Sequence, residues 1–232
     1  MMETDFIYWR HDTPVGIRVE EVCGAEDRKG RVWLMMARQV YCENGREAYR
    51  VIDHFDNGAP YLEGSDSRIS IAHTEGLFVV ASLPRTPEAP LDTFSLRTAL
   101  GADVERRDRD QVLRVREKFL SPGELALVPA EDVEANVLAW TCKEALLKAG
   151  LNPAVDIRRD LIIKSLPDPL SGAIGHGAVI ITDGESAKDP APDMEADTGP
   201  GKRQEMELYS YISEDCVVTL AYSPKCAKFK RG

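Results

Sequence analysis

Two carboxylates placed two residues apart are the first candidates for chemistry in this sequence. Asp103 and Glu105 flank Val104, so in an extended strand they point to one face and repel unless a positive charge lies between them. Oxygen ligands of this kind suit a hard divalent cation, of which Mg²⁺ is the expected one. Two simpler interpretations remain open, namely a solvated strand edge or ion pairs with Arg106 and Arg107.

A third carboxylate, Glu144, lies in a segment that is typical of a helix. Ala, Leu, Lys and Glu dominate between Trp140 and Lys148, and Gly150 follows as a stop. Trp140, Glu144 and Lys148 are spaced four residues apart, which places an indole, a carboxylate and an ammonium on one stripe. This pattern suits a base held between an apolar wall and a cation, but it also suits an ordinary Glu–Lys surface pair.

The elements that must position these residues are strands followed by helices and further strands. Strands are predicted over 15–22, 31–41, 68–73 and 77–81, whereas 43–55 is ambiguous with helix-compatible spacing. Three helices are predicted from Asp108 or Asp110 to Phe119, from the capping box at Ser121 to Glu124, and from near Glu131. Strands are again predicted over 160–165 and 177–182, with a closing hairpin over 206–222.

Composition limits the class of protein. The chain has 232 residues and a net charge of −10, which argues against non-specific binding to nucleic acid. Five cysteines without a C-x-x-C pair favour free thiols in a reducing compartment over a disulfide framework or a zinc site. The N-terminus lacks the pattern of a signal peptide, and no stretch is long and apolar enough to cross a bilayer. We therefore expect a cytoplasmic protein that binds no membrane.

Five short motifs occur in a recognisable order. They are Asn57-Gly-Ala-Pro-Tyr-Leu62, Ile69-Ser-Ile-Ala-His-Thr74, Gly101-Ala-Asp-Val-Glu105, Phe119-Leu-Ser-Pro-Gly-Glu-Leu125 and Trp140-Thr-Cys-Lys-Glu-Ala-Leu-Leu-Lys-Ala149. Together they resemble the 4'-phosphopantetheinyl transferase superfamily in its longer, two-half, surfactin-synthetase-activating type. The resemblance covers residues 57–150, and its most specific part is the pair of carboxylate motifs.

The resemblance implies roles for particular positions. Asp103, Glu105 and Glu144 match the carboxylates that bind Mg²⁺, and Glu144 also matches the candidate base for the carrier-protein serine. Lys148 matches a catalytic lysine that neutralises the pyrophosphate of coenzyme A, and Lys143 is expected to contact phosphate. His73 matches a histidine that holds a coenzyme A phosphate, although a lone histidine at a strand turn is often only structural.

Two positions depart from the family pattern. Ala59 replaces a lysine and Ala72 replaces a serine, and each change is expected to remove a polar contact to the nucleotide. Weaker or differently supported binding of coenzyme A follows, with Arg18, Arg31, Arg38 and Arg68 as candidate replacements. Trp140 is interpreted as packing that positions the helix.

The fold class implied by the resemblance is α+β, with two similar halves related by a pseudo-twofold axis. Residues 1–98 form the N-terminal half and residues 99–232 the C-terminal half, which carries the metal site and a mobile loop over 183–204. Two hairpins, Ile69–Ala81 and Met206–Tyr222, have similar sequences, which is compatible with internal duplication and with chance. A monomer is expected.

The function implied is Mg²⁺-dependent transfer of 4'-phosphopantetheine from coenzyme A to a serine of an apo-acyl or peptidyl carrier protein, as in a holo-acyl-carrier-protein synthase. Such carriers are acidic, and the basic segment from Arg106 to Lys118 is the expected docking face, unless it is only a solvated helix surface. The alternative is a non-catalytic relative that binds coenzyme A or a carrier protein.

Overall fold

The computed structural model describes residues 16–21, 40–43, 46–49, 52–54, 59–62, 68–74, 77–83, 100–150, 156–168, 170, 173–181 and 202–223. The N-terminal strands are β1 (Gly16–Glu21), β2 (Val40–Glu43), β3 (Arg46–Tyr49), β4 (Ile52–His54), β5 (Pro60–Leu62), β6 (Arg68–Thr74) and β7 (Leu77–Leu83). Five of these described strands form an antiparallel sheet in the order β1-β7-β6-β5-β4, and β2 pairs with β3 separately.

The C-terminal part combines strands with helices. Its elements are β8 (Leu100–Arg106), α1 (Gln111–Phe119), α2 (Pro122–Leu125), α3 (Val133–Gly150), β9 (Leu161–Ser165), β10 (Gly175–Ile181), β11 (Lys202–Ile212) and β12 (Cys216–Tyr222). The described strands here form a second five-stranded antiparallel sheet, in the order β8-β12-β11-β10-β9. Both five-stranded sheets thus place their first strand at an edge and their last strand beside it. The α+β class is confirmed.

Strand β12 of the second sheet is covered on both faces because it carries apolar side chains at successive positions, which point to opposite faces. On one face, Val217 and Ala221 of β12 pack with Val137, Ala145 and other apolar residues of α3. On the other face, Val218 and Leu220 of β12, together with Val104 of β8, pack with Ala72 and Val79 of the first sheet. The helix and the N-terminal sheet therefore enclose β8 and β12 between them.

The edge of the second sheet at β8 is closed by β6 of the first. The Ala102 backbone N–H, which has no strand partner on that side, donates to the Ser70 hydroxyl at 2.9 Å. Ser70 and Ala72 are both buried, and they are two residues apart on the face of β6 that meets β8. This contact places the end of β6 beside the carboxylates of β8.

Local signals position the helices. The capping box at Ser121 and Glu124 is confirmed, with Pro122 at the first helical position of α2. Asp110 occupies the N-cap position of α1, although its side chain makes no capping hydrogen bond. The Asp132 carboxylate accepts from the Ala135 N–H at 3.0 Å at the start of α3.

Trp140 performs the packing role expected of it. Its ring meets the buried Phe119 ring edge-on, with centroids 5.0 Å apart, and so joins α3 to α1.

Some predicted elements differ from the structure. The 43–55 segment, whose spacing is compatible with a helix, contains strands β3 and β4 instead, because β3 pairs with β2 and β4 pairs with β5. Residues 202–204, expected to belong to a mobile loop, are part of β11, which begins at Lys202, and residues 183–201 lie outside the described residues. The boundary between halves at 98/99 also lies outside them. In the part of the chain that the structure describes, no helix is both long and apolar enough to cross a membrane.

Gly101 allows α3 to cross β8 at close range. A Cβ atom at this position would lie 1.9 Å from the Ala145 carbonyl oxygen and 2.6 Å from the Ala149 nitrogen, both of which belong to the helix backbone. We expect Gly101→Ala to lower the free energy of unfolding by about 1–3 kcal/mol or more, because backbone cannot move aside as a side chain can. Denaturant titration measures this loss.

Gly123→Ala is the matched control for that substitution. Nothing lies within 4 Å of a Cβ atom at Gly123, which is in the short helix α2. This variant should be neutral or stabilised by up to about 1 kcal/mol, the difference in helix propensity. Equal stability of the two variants would contradict the close approach of α3 to β8.

Candidate active site

The acidic side chains of β8 face α3. Leu100, Ala102 and Val104 of this strand pack toward the first sheet, so the alternate positions point to the helix. The close approach of Gly101 to α3 shows the same orientation. Asp103 and Glu105 are buried, with 8% and 4% of their surfaces exposed, and the interpretation as a solvated edge is therefore wrong.

Helix α3 supplies the other two groups of the site. The Lys148 ammonium donates to Asp103 Oδ1 at 2.7 Å, and its side chain remains 32% exposed. Glu144, one turn earlier, is half-buried and has no hydrogen-bond or ion-pair partner among the described residues. The structure therefore brings Asp103, Glu144 and Lys148 together, as the spacing on the helix predicts.

Glu105 is held by two residues that sequence reasoning missed. Its Oε1 accepts from the Thr74 hydroxyl at the end of β6, and its Oε2 is paired with the Arg109 guanidinium. Ion pairing of the carboxylates was one of the open interpretations, but the expected partners were Arg106 and Arg107. Arg109 is four residues from Glu105. This spacing predicts side-chain contact in a helix, but here the intervening residues form a strand end and a turn, so the sequence does not predict the pair.

The carboxyl groups of Asp103 and Glu144 both have raised pKa values. Burial raises the pKa of Asp103 above its ordinary value, although Lys148 and Arg109 act in the opposite direction. Burial, and next the charge of Asp103, raise the pKa of Glu144, while the same two cations lower it. The raised values show that the positive charge present does not fully compensate for the burial of these acids.

The donor set fits a hard cation in its chemistry, but the side chains are not arranged around one. In the described part of the chain, no three acidic, histidine or cysteine side chains are placed to hold a metal ion. A positive group is nevertheless present, because Arg109 is bound to Glu105 and acts electrostatically on Asp103 and Glu144.

Lys143 is placed differently from the expectation of a phosphate contact. It is fully buried, and its ammonium donates to the Glu124 carboxylate, to the Ile157 carbonyl at 3.1 Å and to the Leu161 carbonyl. Burial lowers the pKa of Lys143, although Glu124 opposes this effect. All three donors are used inside the fold, so this structure supports a structural role and no direct contact with a ligand.

His73 and Ala72 lie on opposite faces of β6. Ala72 is buried against β8, so a serine hydroxyl there would enter the core and would not face a nucleotide. His73 is exposed and leaves the strand on the other side from Ala72 and Thr74. Loss of a polar contact to the nucleotide, which was expected from Ala72, therefore does not follow from this structure. Of the candidate replacement arginines, Arg31 and Arg38 lie outside the described residues, and the side chains of Arg18 and Arg68 are not described.

The basic segment after β8 is mostly paired within the protein. Arg106 lies 3.8 Å from Asp215, Arg107 binds Glu134, and Arg116 donates to Asn136 at 2.9 Å. Arg114 and Lys118 are exposed on α1, and neither has an ion-pair partner among the described residues. The free basic face is therefore smaller than the sequence suggests.

Comparison with known proteins supports one family. A search of curated proteins found no match. The family model described as the 4'-phosphopantetheinyl transferase superfamily matches residues 99–175, which contain Asp103, Glu105, Glu144 and Lys148. The resemblance recognised from the motifs is confirmed over this span: residues 99–175 are similar to the 4'-phosphopantetheinyl transferase superfamily, a match that implies phosphopantetheine transfer in general.

Proposed function

We propose that this protein transfers 4'-phosphopantetheine from coenzyme A to a serine of an acyl or peptidyl carrier protein, with Mg²⁺. The observation that carries the proposal is Glu144, a half-buried carboxylate beside the Asp103–Lys148 pair that makes no hydrogen bond or ion pair with any described residue. Such a group is suited to accept a proton from an attacking hydroxyl, because its raised pKa brings its basicity nearer to neutral pH.

The reaction breaks the phosphoanhydride link of the coenzyme A diphosphate and forms a phosphoester link to the serine. The serine oxygen bonds to the phosphorus that carries pantetheine, its proton passes to Glu144, and the bond to the nucleotide phosphate breaks. Lys148 is placed to neutralise the departing phosphate, since its side chain is 32% exposed and, among the described residues, its ammonium is bound to Asp103 alone. Asp103, Glu105 and Glu144 are the residues that would hold Mg²⁺, which when bound would neutralise charge on the diphosphate.

We also propose that coenzyme A binds between two halves, residues 1–98 and 99–232. The same strand order in both sheets supports a pseudo-twofold relation between them. The contact of Thr74 with Glu105 supports a site to which both halves contribute. We further propose a cytoplasmic monomer, with which the free, buried thiol of Cys142 is compatible. Light scattering tests the monomer, and a dimeric mass would contradict it.

A mass-shift assay tests the transfer. Incubation with an apo-carrier protein, coenzyme A and Mg²⁺ should add the mass of one phosphopantetheine arm to the carrier. The control is the same carrier with its acceptor serine replaced by alanine, which should gain nothing. No product with acyl and peptidyl carriers of several pathways would argue against an enzyme.

A non-catalytic relative that binds coenzyme A or a carrier protein is the second candidate. It is favoured by one observation, namely that Glu105 and Asp103 are already occupied by Thr74, Arg109 and Lys148. Measuring coenzyme A binding with and without Mg²⁺ separates the candidates. Binding that is independent of Mg²⁺, together with no mass shift, would favour the non-catalytic protein.

A further inference from the structure

Among the described residues, Glu105 is the one that holds the Arg109 side chain at the site. It extends from the turn after β8, where its backbone N–H donates to the Arg106 carbonyl at 3.2 Å. Its guanidinium pairs with Glu105 Oε2 and has no other hydrogen-bond or ion-pair partner among the described residues. The side chain is 42% exposed, whereas that of Glu105 is 6% exposed. Arginine can therefore leave toward solvent, but the carboxylate cannot follow it.

The Glu105 carboxylate needs another positively charged partner when the Arg109 guanidinium moves away. A buried carboxylate that loses its counterion keeps the full cost of desolvation, and the Thr74 hydroxyl offers only a neutral hydrogen bond. Asp103 retains Lys148, whereas the half-buried Glu144 has no hydrogen-bond or ion-pair partner in the described part of the chain. The region is thus short of positive charge once the guanidinium has moved away.

Arg109 also acts beyond its own ion pair. It is one of two cations that lower the pKa values of Asp103 and Glu144, the other being Lys148. A single guanidinium thus counters all three of the carboxylates that match the metal-binding positions. A divalent cation at this place would interact with the same acids and would repel the guanidinium.

We propose that Arg109 is an internal counterion of Glu105 that a divalent cation must displace, so that this residue sets the cation affinity of the site. The inference rests on the proposed function, since it assumes that the three carboxylates receive a cation. Ion pairing and cation binding are then alternative states of Glu105, and the weaker the pairing, the tighter the cation binds.

Titration with Mn²⁺, followed by its electron paramagnetic resonance signal, tests this exchange without any turnover. Mn²⁺ takes the same oxygen ligands as Mg²⁺. We expect Arg109→Gln to bind Mn²⁺ about tenfold more tightly than the unaltered protein, the order of magnitude of one hydrogen bond between charged groups. Arg109→Lys, which keeps the charge but loses the planar fork, should lie between the two.

Arg114→Gln is the matched control, because it removes the same charge from an exposed position of α1 that has no ion pair among the described residues. Its Mn²⁺ affinity should equal that of the unaltered protein. Equal affinities in the Arg109→Gln and Arg114→Gln variants would overturn the exchange and leave the proposed transfer intact. No Mn²⁺ binding by any variant would overturn the exchange and the proposed metal requirement together. If Arg109→Gln does not fold, the comparison of Arg109→Lys with the unaltered protein decides.

Discussion

Replacing Glu144 with glutamine should reduce phosphopantetheine transfer by about 10²–10⁴-fold, the contribution typical of a positioned general base. The amide has nearly the same shape but accepts no proton at neutral pH. The measurement is the initial rate of carrier-protein modification followed by mass. Folding should be unaffected, because Glu144 makes no hydrogen bond or ion pair with any described residue and both burial and Asp103 disfavour its charge.

The pH dependence of the transfer rate should reflect the ionisation of Glu144. Burial and the charge of Asp103 raise the pKa of Glu144 above its ordinary value. The protonated carboxyl cannot act as a base, so activity should fall as the pH drops through the pKa of Glu144; bound Mg²⁺ would favour the charged carboxylate, so this limb should lie at a lower pH than the pKa of Glu144 in the metal-free protein. This acidic limb should disappear in Glu144→Gln.

Glu131→Gln is the control for both measurements, since Glu131 is exposed in the connection before α3. Its rate and pH profile should match those of the unaltered protein. A Glu144→Gln variant that retained full activity would exclude Glu144 as the base and would transfer that role to another group.

Replacing Lys143 with methionine should lower the free energy of unfolding by about 3–5 kcal/mol, the cost of removing one partner from a buried ion pair. Lys143 is fully buried, and its loss leaves the Glu124 carboxylate and the carbonyls of Ile157 and Leu161 without their donor. Chemical denaturation measures the loss. The midpoint should fall while the slope stays constant.

Two further variants make that prediction specific. Lys164 forms an ion pair with Glu205 on the surface, so Lys164→Met should cost less than about 1 kcal/mol. Adding Glu124→Gln to Lys143→Met should recover part of the stability, because the amide oxygen still accepts from the backbone N–H of Ser121 or Ile163 without leaving a charge unpaired. If Lys143→Met and Lys164→Met cost the same, Lys143 is not the buried structural cation described here.

Local patterns were sufficient to predict the elements that carry the site. The helix predicted from near Glu131 to a stop at Gly150 spans Val133–Gly150, and the extended segment assumed for Asp103 and Glu105 lies in β8. The stripe of Trp140, Glu144 and Lys148 follows directly from helix geometry. The match of residues 99–175 to one superfamily confirms the recognition that rested on these motifs.

Contacts between distant segments could not be predicted in the same way. Lys143 and Glu144 are neighbours in sequence, and spacing alone does not show that Lys143 is buried in the core while Glu144 stays half-buried. The burial of Lys143 depends on β9, which places Leu161 beside the Lys143 ammonium. The pairing of Thr74 with Glu105 depends on how β6 lies along β8. Strands β3 and β4 likewise exist because of their partners, whose pairing overrides a helix-compatible pattern.

The cover that β6 places over β8 has a consequence for any attempt to isolate the C-terminal part. Ser70 satisfies the Ala102 N–H on the outer side of β8, and Ala72 shields its apolar face. A fragment lacking the first sheet would present an unprotected strand with free backbone donors beside exposed Val104, Val218 and Leu220. Such edges pair readily with other chains. The N-terminal sheet therefore protects the protein against self-association, in addition to any part it has in binding.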